Sequence, residues 1–230
     1  MDITKKVFWV WLSSIPNIGA KRFGHILNIF KDPENVWNAS ELELNEHIPV
    51  FGKNVINNII QYRQDKYLRD AEKTLHRKDI SVITLIEDQY PSLLKNIYAP
   101  PPVLYVKGEL PNRDMSTVAI VGSRRATYYG KQVAERLAYE LSRAGVAIIS
   151  GLAYGVDAMA HKGALRAGGH TVGVLGCGVD IVYPQDNLKY YREMAKKGAL
   201  VSEFPIGTKP LPGNFPARNR IISGLSQGVL

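Results

Sequence analysis

The chain has 230 residues, 45% hydrophobic and 22% charged, enough to fill one good core plus a smaller appendage, so two domains are expected. Its net charge of +8 is uneven: 14 Lys and Arg face 13 Asp and Glu up to Pro111, but 15 face 8 from Asn112 onward. No apolar run approaches the roughly 18 residues needed to span a bilayer, the start Met1-Asp-Ile-Thr-Lys-Lys6 lacks a signal-peptide core, and one cysteine excludes an internal disulfide framework.

These bounds describe a cytoplasmic globular protein. His25, His47, His76, His161 and His170 show no zinc-ligand spacing, so neither a metal nor a cofactor is expected. The basic second part fits a polyanionic partner, because clustered cations gain by releasing the counterions condensed on a phosphate chain. Surplus lysines also serve solubility, and the charge count alone does not separate the two.

Residues 1–75 read as short helices between turn signals such as Pro16-Asn17, Asp32-Pro33 and Phe51-Gly52, with Phe23, Ile26, Leu27 and Phe30 at helical spacing. Within them Ile15-Pro-Asn-Ile-Gly-Ala-Lys-Arg22 is similar to one hairpin of a helix-hairpin-helix module, and Pro49-Val-Phe-Gly-Lys-Asn54 is a weaker echo. Such hairpins present amides to phosphate, or serve as plain packing corners. Next come two strand-like runs, Val82-Ile-Thr-Leu85 and Val103-Leu-Tyr-Val106, flanking the break at Pro100-Pro-Pro102.

From Thr117 the pattern turns regular. Apolar strands at 117–122, 146–150, 171–175 and 199–202 alternate with helical stretches of about a dozen residues, which predicts a parallel sheet with right-handed crossovers. The first helix places Val133, Leu137 and Leu141 on one core-facing stripe and stops at Gly145; the second places Val156, Met159, Ala160 and Ala164 before Gly168-Gly169. The chain closes on Gly228-Val-Leu230, which reads as the opening of another strand, so a piece of a longer protein is expected. The fold class is α/β, with residues 76–230 forming the sheet domain behind a helical domain of residues 1–75.

Ligands of open parallel sheets bind outside the carboxyl ends of the strands, so the loops after each strand belong together. The first strand runs from Val118 into Gly122-Ser-Arg124 and then a helix, where unpaired amides and the positive helix end favour an anion. Ser150-Gly-Leu-Ala-Tyr-Gly-Val-Asp157, Gly176-Cys-Gly-Val-Asp-Ile-Val-Tyr-Pro184 and Ser202-Glu-Phe-Pro205 follow the others, and Asn214-Phe-Pro-Ala-Arg-Asn-Arg220 adds Arg218 and Arg220 at a helix start. Tyr128, Tyr129, Tyr154, Tyr183 and Phe215 are interleaved with this basic edge, the composition of a single-strand groove. The tyrosines serve half-buried packing equally well.

Other chemistry is less well supplied. Asp157 and His161 stand four apart and invite an acid–base pair, yet an acid in a first helical turn ordinarily compensates the dipole. Cys177, between two glycines, has no neighbour in sequence arranged to lower its pKa. The first strand is not followed by G-x-G-x-x-G and the second ends Ile148-Ile-Ser150 without an acid, which disfavours NAD; no G-x-x-x-x-G-K-[ST] is present.

Six ordered blocks together resemble the DNA-processing protein A family, DprA or Smf, of bacterial natural transformation. They are Ile83-Thr-Leu85 through Tyr90-Pro91 with Pro101-Pro-Val-Leu-Tyr-Val-Lys-Gly108; Val121-Gly-Ser-Arg124 with Tyr129-Gly130; Ser150 to Asp157 with Ala160-His161; Gly176 to Asp180 with Tyr183-Pro184; Ser202-Glu-Phe-Pro205; and Phe215 to Ser226. The resemblance implies an extended Rossmann-like domain, with a mainly parallel sheet, behind a small all-α domain of sterile-alpha-motif or helix-hairpin-helix type. It implies a non-enzymatic protein that binds incoming single-stranded DNA without regard to sequence, protects it and helps load the RecA recombinase. The residues it assigns to DNA are Gly122, Ser123, Arg124, Tyr154, Gly155, Arg218, Asn219 and Arg220, with Tyr154 standing where many members carry Lys or Arg. It implies a homodimer for the full-length protein, through regions near the end of the sheet domain. Two other readings stay open: a nucleotide-processing phosphoribohydrolase, for which Glu203 is the one candidate catalytic acid although the P-G-G-x-G-T-x-x-E stretch is missing, and a small-nucleotide sensor.

Overall fold

The computed structural model describes residues 3–77 and 79–230, so the reading of Met1 and Asp2 at the chain start lies outside it. Two compact units are present: Met1–Asp88 with Ala99–Val103, and Gln89–Tyr98 with Leu104–Leu230.

Among its described residues the first unit carries six α-helices, α1 (Ile3–Ser14), α2 (Ala20–Phe30), α3 (Pro33–Asn38), α4 (Glu41–His47), α5 (Lys53–Gln61) and α6 (Asp65–Leu75), with a short 3-10 turn at Pro49–Phe51. They enclose large apolar side chains, Trp9, Trp11, Phe23, Ile26, Leu44 and Ile59 among them. Local chemistry sets the starts. Asp32 accepts the amide of Glu34 ahead of Pro33, and Ser40 with Glu43 forms a capping box. A short strand, β1 (Ser81–Thr84), also belongs here; Lys6 donates to the Val82 carbonyl at 2.7 Å and pairs with Glu87 at 2.7 Å.

The second unit is built on strands. After α7 (Ser92–Lys95) come β2 (Val103–Gly108), β3 (Thr117–Ala119), α8 (Tyr128–Arg143), β4 (Ala147–Ser150), α9 (Val156–Arg166), β5 (Thr171–Val174), α10 (Leu188–Lys197), β6 (Ala199–Ser202), α11 (Asn214–Gly224) and β7 (Gly228–Val229). Six strands lie in the order β2-β6-β5-β4-β3-β7. Only β2 runs antiparallel, against β6. The pairs β6/β5, β5/β4, β4/β3 and β3/β7 are parallel. This is the α/β, mainly parallel arrangement that the alternating pattern predicts. Successive strands β3 to β6 step one way, then α11 returns the chain to the far side of β3, so the order reverses at β3.

Helices α8 and α9 form the tightest helix pair and cover one face. Ala134, Ala138, Ala160 and Ala164 pack with Ile120 and Ile148, and Leu141, Val156 and Met159 close the flanks. The predicted stripe on α8 is corrected here, because Leu137 is 42% exposed and Val133 is half-buried. The cause is the closeness of α9: a Cβ on Gly163 would stand 2.2 Å from the Glu135 carbonyl oxygen. Only glycine and alanines occupy that crossing, and the larger residues are displaced to its edge.

His161 pins α9 to the sheet. It is fully buried, and its Nδ1 lies 2.8 Å from Thr171 Oγ1, which itself donates to the Ile148 carbonyl at 2.8 Å. The hydroxyl has one proton to give, so the imidazole proton sits on Nδ1 and Nε2 lacks a partner among the described residues. Burial pushes its pKa down to about 3.

Two stability measurements check these points. Gly163→Ala lowers unfolding free energy by about 1–3 kcal/mol, whereas Gly24→Ala, inside α2 with nothing within 4 Å of the new methyl, raises it by about 0.5–1 kcal/mol; equal effects in chemical denaturation contradict the close crossing. Because His161 takes up a proton on unfolding below about pH 6.5 but not in the folded state until about 3, stability is lost on acidification across that range, by up to about 1.4 kcal/mol per pH unit from this group. His161→Asn, which keeps a donor for Thr171, removes that share of the slope; parallel pH profiles contradict it.

Candidate nucleic-acid interface

The loops after β3, β4 and β5 and the start of α11 converge at the carboxyl edge of the sheet, beside the strand at which the order reverses. Between them is a cleft of about 630 Å³, lined by Gly122, Arg124, Asp157, Tyr183, Phe215 and Arg218, with Pro210, Pro212 and Pro216 along one wall. A smaller recess of about 50 Å³ adjoins it, with Gly151 and Gly176 in its lining beside Tyr154, Tyr183 and Phe215.

Backbone demands explain the glycines. Gly155 holds φ +77°, and a Cβ there would stand 2.2 Å from the Ser123 carbonyl oxygen, so the second loop can lie against the first only without a side chain. At Gly122 the new atom would stand 2.8 Å from a Val156 methyl. Contact between loops, and not only ligand approach, therefore fixes both positions. Thr127 caps α8 through the Gly130 amide at 3.1 Å, and Ser123 Oγ accepts the Arg125 amide at 3.1 Å.

The amides of this rim do not all face outward. Asp157, at the start of α9 and 6% exposed, accepts the Ala153 amide at 3.4 Å, and the backbone amides of Gly122 and Gly151 also favour its charged form. Burial lifts its pKa above the usual aspartate value, while the charge of Arg218 and those amides hold the rise back. Part of the anion seat read from Gly122-Ser-Arg124 is thus filled by the chain's own carboxylate. The amides of Ser123 and Arg124 have no intramolecular acceptor among the described residues. With His161 bonded to Thr171, Asp157 and His161 do not form a dyad.

The three arginines of the expected edge have three different fates. Arg124 is exposed, its guanidinium 5.1 Å from the centroid of the Phe215 ring, and the Tyr183 and Phe215 ring centroids are 5.5 Å apart. Arg218 is 3% exposed; it donates to the carbonyls of Gly151, at 2.8 Å, and Val174, and to Asn219 Oδ1 at 3.3 Å. Burial lowers its pKa from the ordinary arginine value, opposed by Asp157. Arg220, two residues on and so on another side of α11, is bound to Glu203. The expectation that Arg218 and Arg220 stand as free cations beside Arg124 is corrected accordingly: buried acceptors consume the first and a carboxylate the second. Glu203 is itself mostly buried, which raises its pKa, and is not among the cleft-lining residues.

Among the aromatics, Tyr128 and Tyr129 are 78% and 76% exposed at the start of α8. Tyr154 is 45% exposed and donates its hydroxyl to Asp186 at 3.0 Å, a bond that also raises its pKa. Asn219 lines the cleft. Sequence reasoning passed over the polar residues that hold the loops in shape. Asn187 donates to the Leu152 carbonyl at 2.9 Å, Asn214 to that of Gly176 at 3.0 Å, and Ser202 to that of Cys177 at 2.6 Å. The available signal was an Asn or Ser beside each glycine-rich loop. Cys177 is buried and its thiol is pushed up to about 11, mainly by burial. No group of three or more His, Cys, Asp or Glu able to hold a metal occurs among the described residues, and no described helix is long and apolar enough to cross a membrane.

Comparison with known proteins places this arrangement. A profile of the DNA recombination-mediator protein A family matches residues 81–230. Protein Smf of Synechocystis sp. is 37% identical over all of this chain and 58% of its own length, and the DNA processing protein DprA of Bacillus subtilis is 47% identical over 66% of this chain and 51% of its own. The chain therefore spans between half and three fifths of these relatives. The X-ray structure of DNA processing protein A from Streptococcus pneumoniae superposes with a TM-score of 0.75 at 31% identity, covering 98% of this chain and 76% of that one. A solved structure of DNA processing protein A from Helicobacter pylori, described for its unique single-stranded DNA binding mode, gives a TM-score of 0.59 at 36% identity, covering 67% of this chain and 68% of that one. With residues 81–230 matched by the family profile and 37% identity to protein Smf of Synechocystis sp. along the whole chain, this chain belongs to the DNA recombination-mediator protein A family.

Proposed function

We propose that the second unit binds single-stranded DNA along the cleft, with the phosphate backbone held by Arg124 and the amides of Ser123 and Arg124, and bases stacked on Phe215 and Tyr183. The observation that carries this reading is the contact of exposed Arg124 with the Phe215 ring in the lining of the cleft, where Tyr183 also packs on Phe215. A cation and a π-face offered together meet the two needs of a sequence-tolerant groove, attraction to any phosphate and a surface that any base can cover. The similarity to the Helicobacter pylori protein supports the choice of single-stranded DNA.

The other assigned residues divide by position. Gly122 and Gly155 set the loop path, Asn219 lines the cleft, Tyr154 lines the recess beside it, and Arg218 acts from beneath as a positioning residue. Tyr154, anchored by Asp186, favours stacking over charge at its position. Glu203, engaged by Arg220, favours binding over hydrolysis. From the family resemblance we further propose that a protein carrying this unit protects incoming DNA, hands it to RecA and works as a homodimer.

Salt-dependent titration of a fluorescent oligothymidylate tests the assignment. Arg124→Ala keeps the thermal transition of the parent and makes the log–log salt slope shallower by about 0.7, the share of one single-strand phosphate contact; an unchanged slope and affinity would refute the role given to Arg124. Arg218→Ala instead lowers stability by about 3–5 kcal/mol, because Asp157 is left as an uncompensated buried charge. Saturable binding of a mononucleotide with no gain from longer oligonucleotides would favour the sensor reading.

A further inference from the structure

Helices that follow parallel strands all start at the carboxyl edge of a sheet, so α8, α9 and α10 each begin at the rim of the cleft and run away from it on one face. These three helices carry nine Lys and Arg against four Asp and Glu. They hold five of the seven surplus charges found from Asn112 onward, and one of their four acids, Asp157, is buried.

The cations on this face are open to solvent. Lys131, Arg136 and Arg143 on α8 and Lys189, Arg192 and Lys196 on α10 are exposed and make no ion pair among the described residues. Glu135 lies between Lys162, at 2.9 Å, and Arg166, leaving that cluster at net +1. Arg166 also sits 4.8 Å from the centroid of the Tyr139 ring. Glu140 and Glu193 also stand on these helices, so both signs are present, but the cations outnumber the acids by more than two to one, and an excess of that size draws polyanions.

We infer that the outer face of α8, α9 and α10 is a second phosphate track, which takes up the single strand as it leaves the cleft. The inference rests on the reading of the cleft as a DNA site and extends it to strands longer than the cleft covers. The rim and the track are continuous at Tyr128, and the 16 residues of α8 carry cations along about 24 Å of path. Contacts here go to the sugar–phosphate backbone, so the track adds affinity and salt dependence but no sequence preference.

The test compares oligothymidylates of about 8 and about 40 nucleotides, the first within the roughly 4–16 nucleotides of a single groove. Both are titrated across salt with the parent chain, with Arg124→Ala and with Arg136→Gln/Arg143→Gln/Arg192→Gln. The expected result is a steeper slope for the long oligonucleotide, which the triple variant makes shallower by about 2 while leaving the short oligonucleotide unaffected. Arg124→Ala weakens both. If the triple variant keeps the parent's slope on the long strand, or the parent shows no steeper slope with length, the track is overturned. If the short strand fails to bind but the long one binds and loses slope in the triple variant, the track stands and the cleft assignment falls.

Discussion

A buried carboxylate facing a buried guanidinium organises the carboxyl edge of this sheet. Asp157 collects amides from the loops after β3 and β4, and Arg218 reaches across from α11 to the carbonyls of Gly151 and Val174. Each charge offsets the desolvation of the other, and together they tie three separate segments into one rim. Without Arg218, Asp157 would be an uncompensated charge; without Asp157, the inner amides would point at nothing. The outward surface of the same loops is free for a ligand because the inward surface is already satisfied.

That arrangement separates support from contact. Arg218 and Arg220 are consumed within the protein, while Arg124 projects over Phe215 into the cleft. A guanidinium laid on an aromatic ring is held in place yet keeps its donors, which suits it to successive phosphates without demanding a particular base. The Gly155 backbone, pressed against the Ser123 carbonyl, fixes the distance between the first two loops and so the width of the entrance.

Much of this was legible in the sequence, for reasons that can be named. The strand–helix alternation from Thr117, the turn at Gly122-Ser-Arg124 and the glycine at 155 are local signals that a parallel sheet with touching loops requires. Which arginine is free was not legible. Arg218 and Arg220 look equivalent in the chain, but positions two apart on α11 face different surroundings, one the interior and the other Glu203. Likewise Leu137 reads as core beside Val133 and Leu141, and only the close approach of α9 at Gly163 reveals that alanines occupy the crossing. The partner of Asp157 lies 61 residues along the chain, beyond the reach of any spacing rule.

The most direct test of the central claim is ultraviolet cross-linking of the chain to a uniform oligothymidylate, with the adducts located by mass spectrometry. Adducts are expected on Phe215 and Tyr183, reduced by competing unlabelled single strands. Adducts confined instead to the separate groove of about 180 Å³ between Tyr90, Leu110 and Leu225, or to residues away from the Arg124 rim, would contradict it.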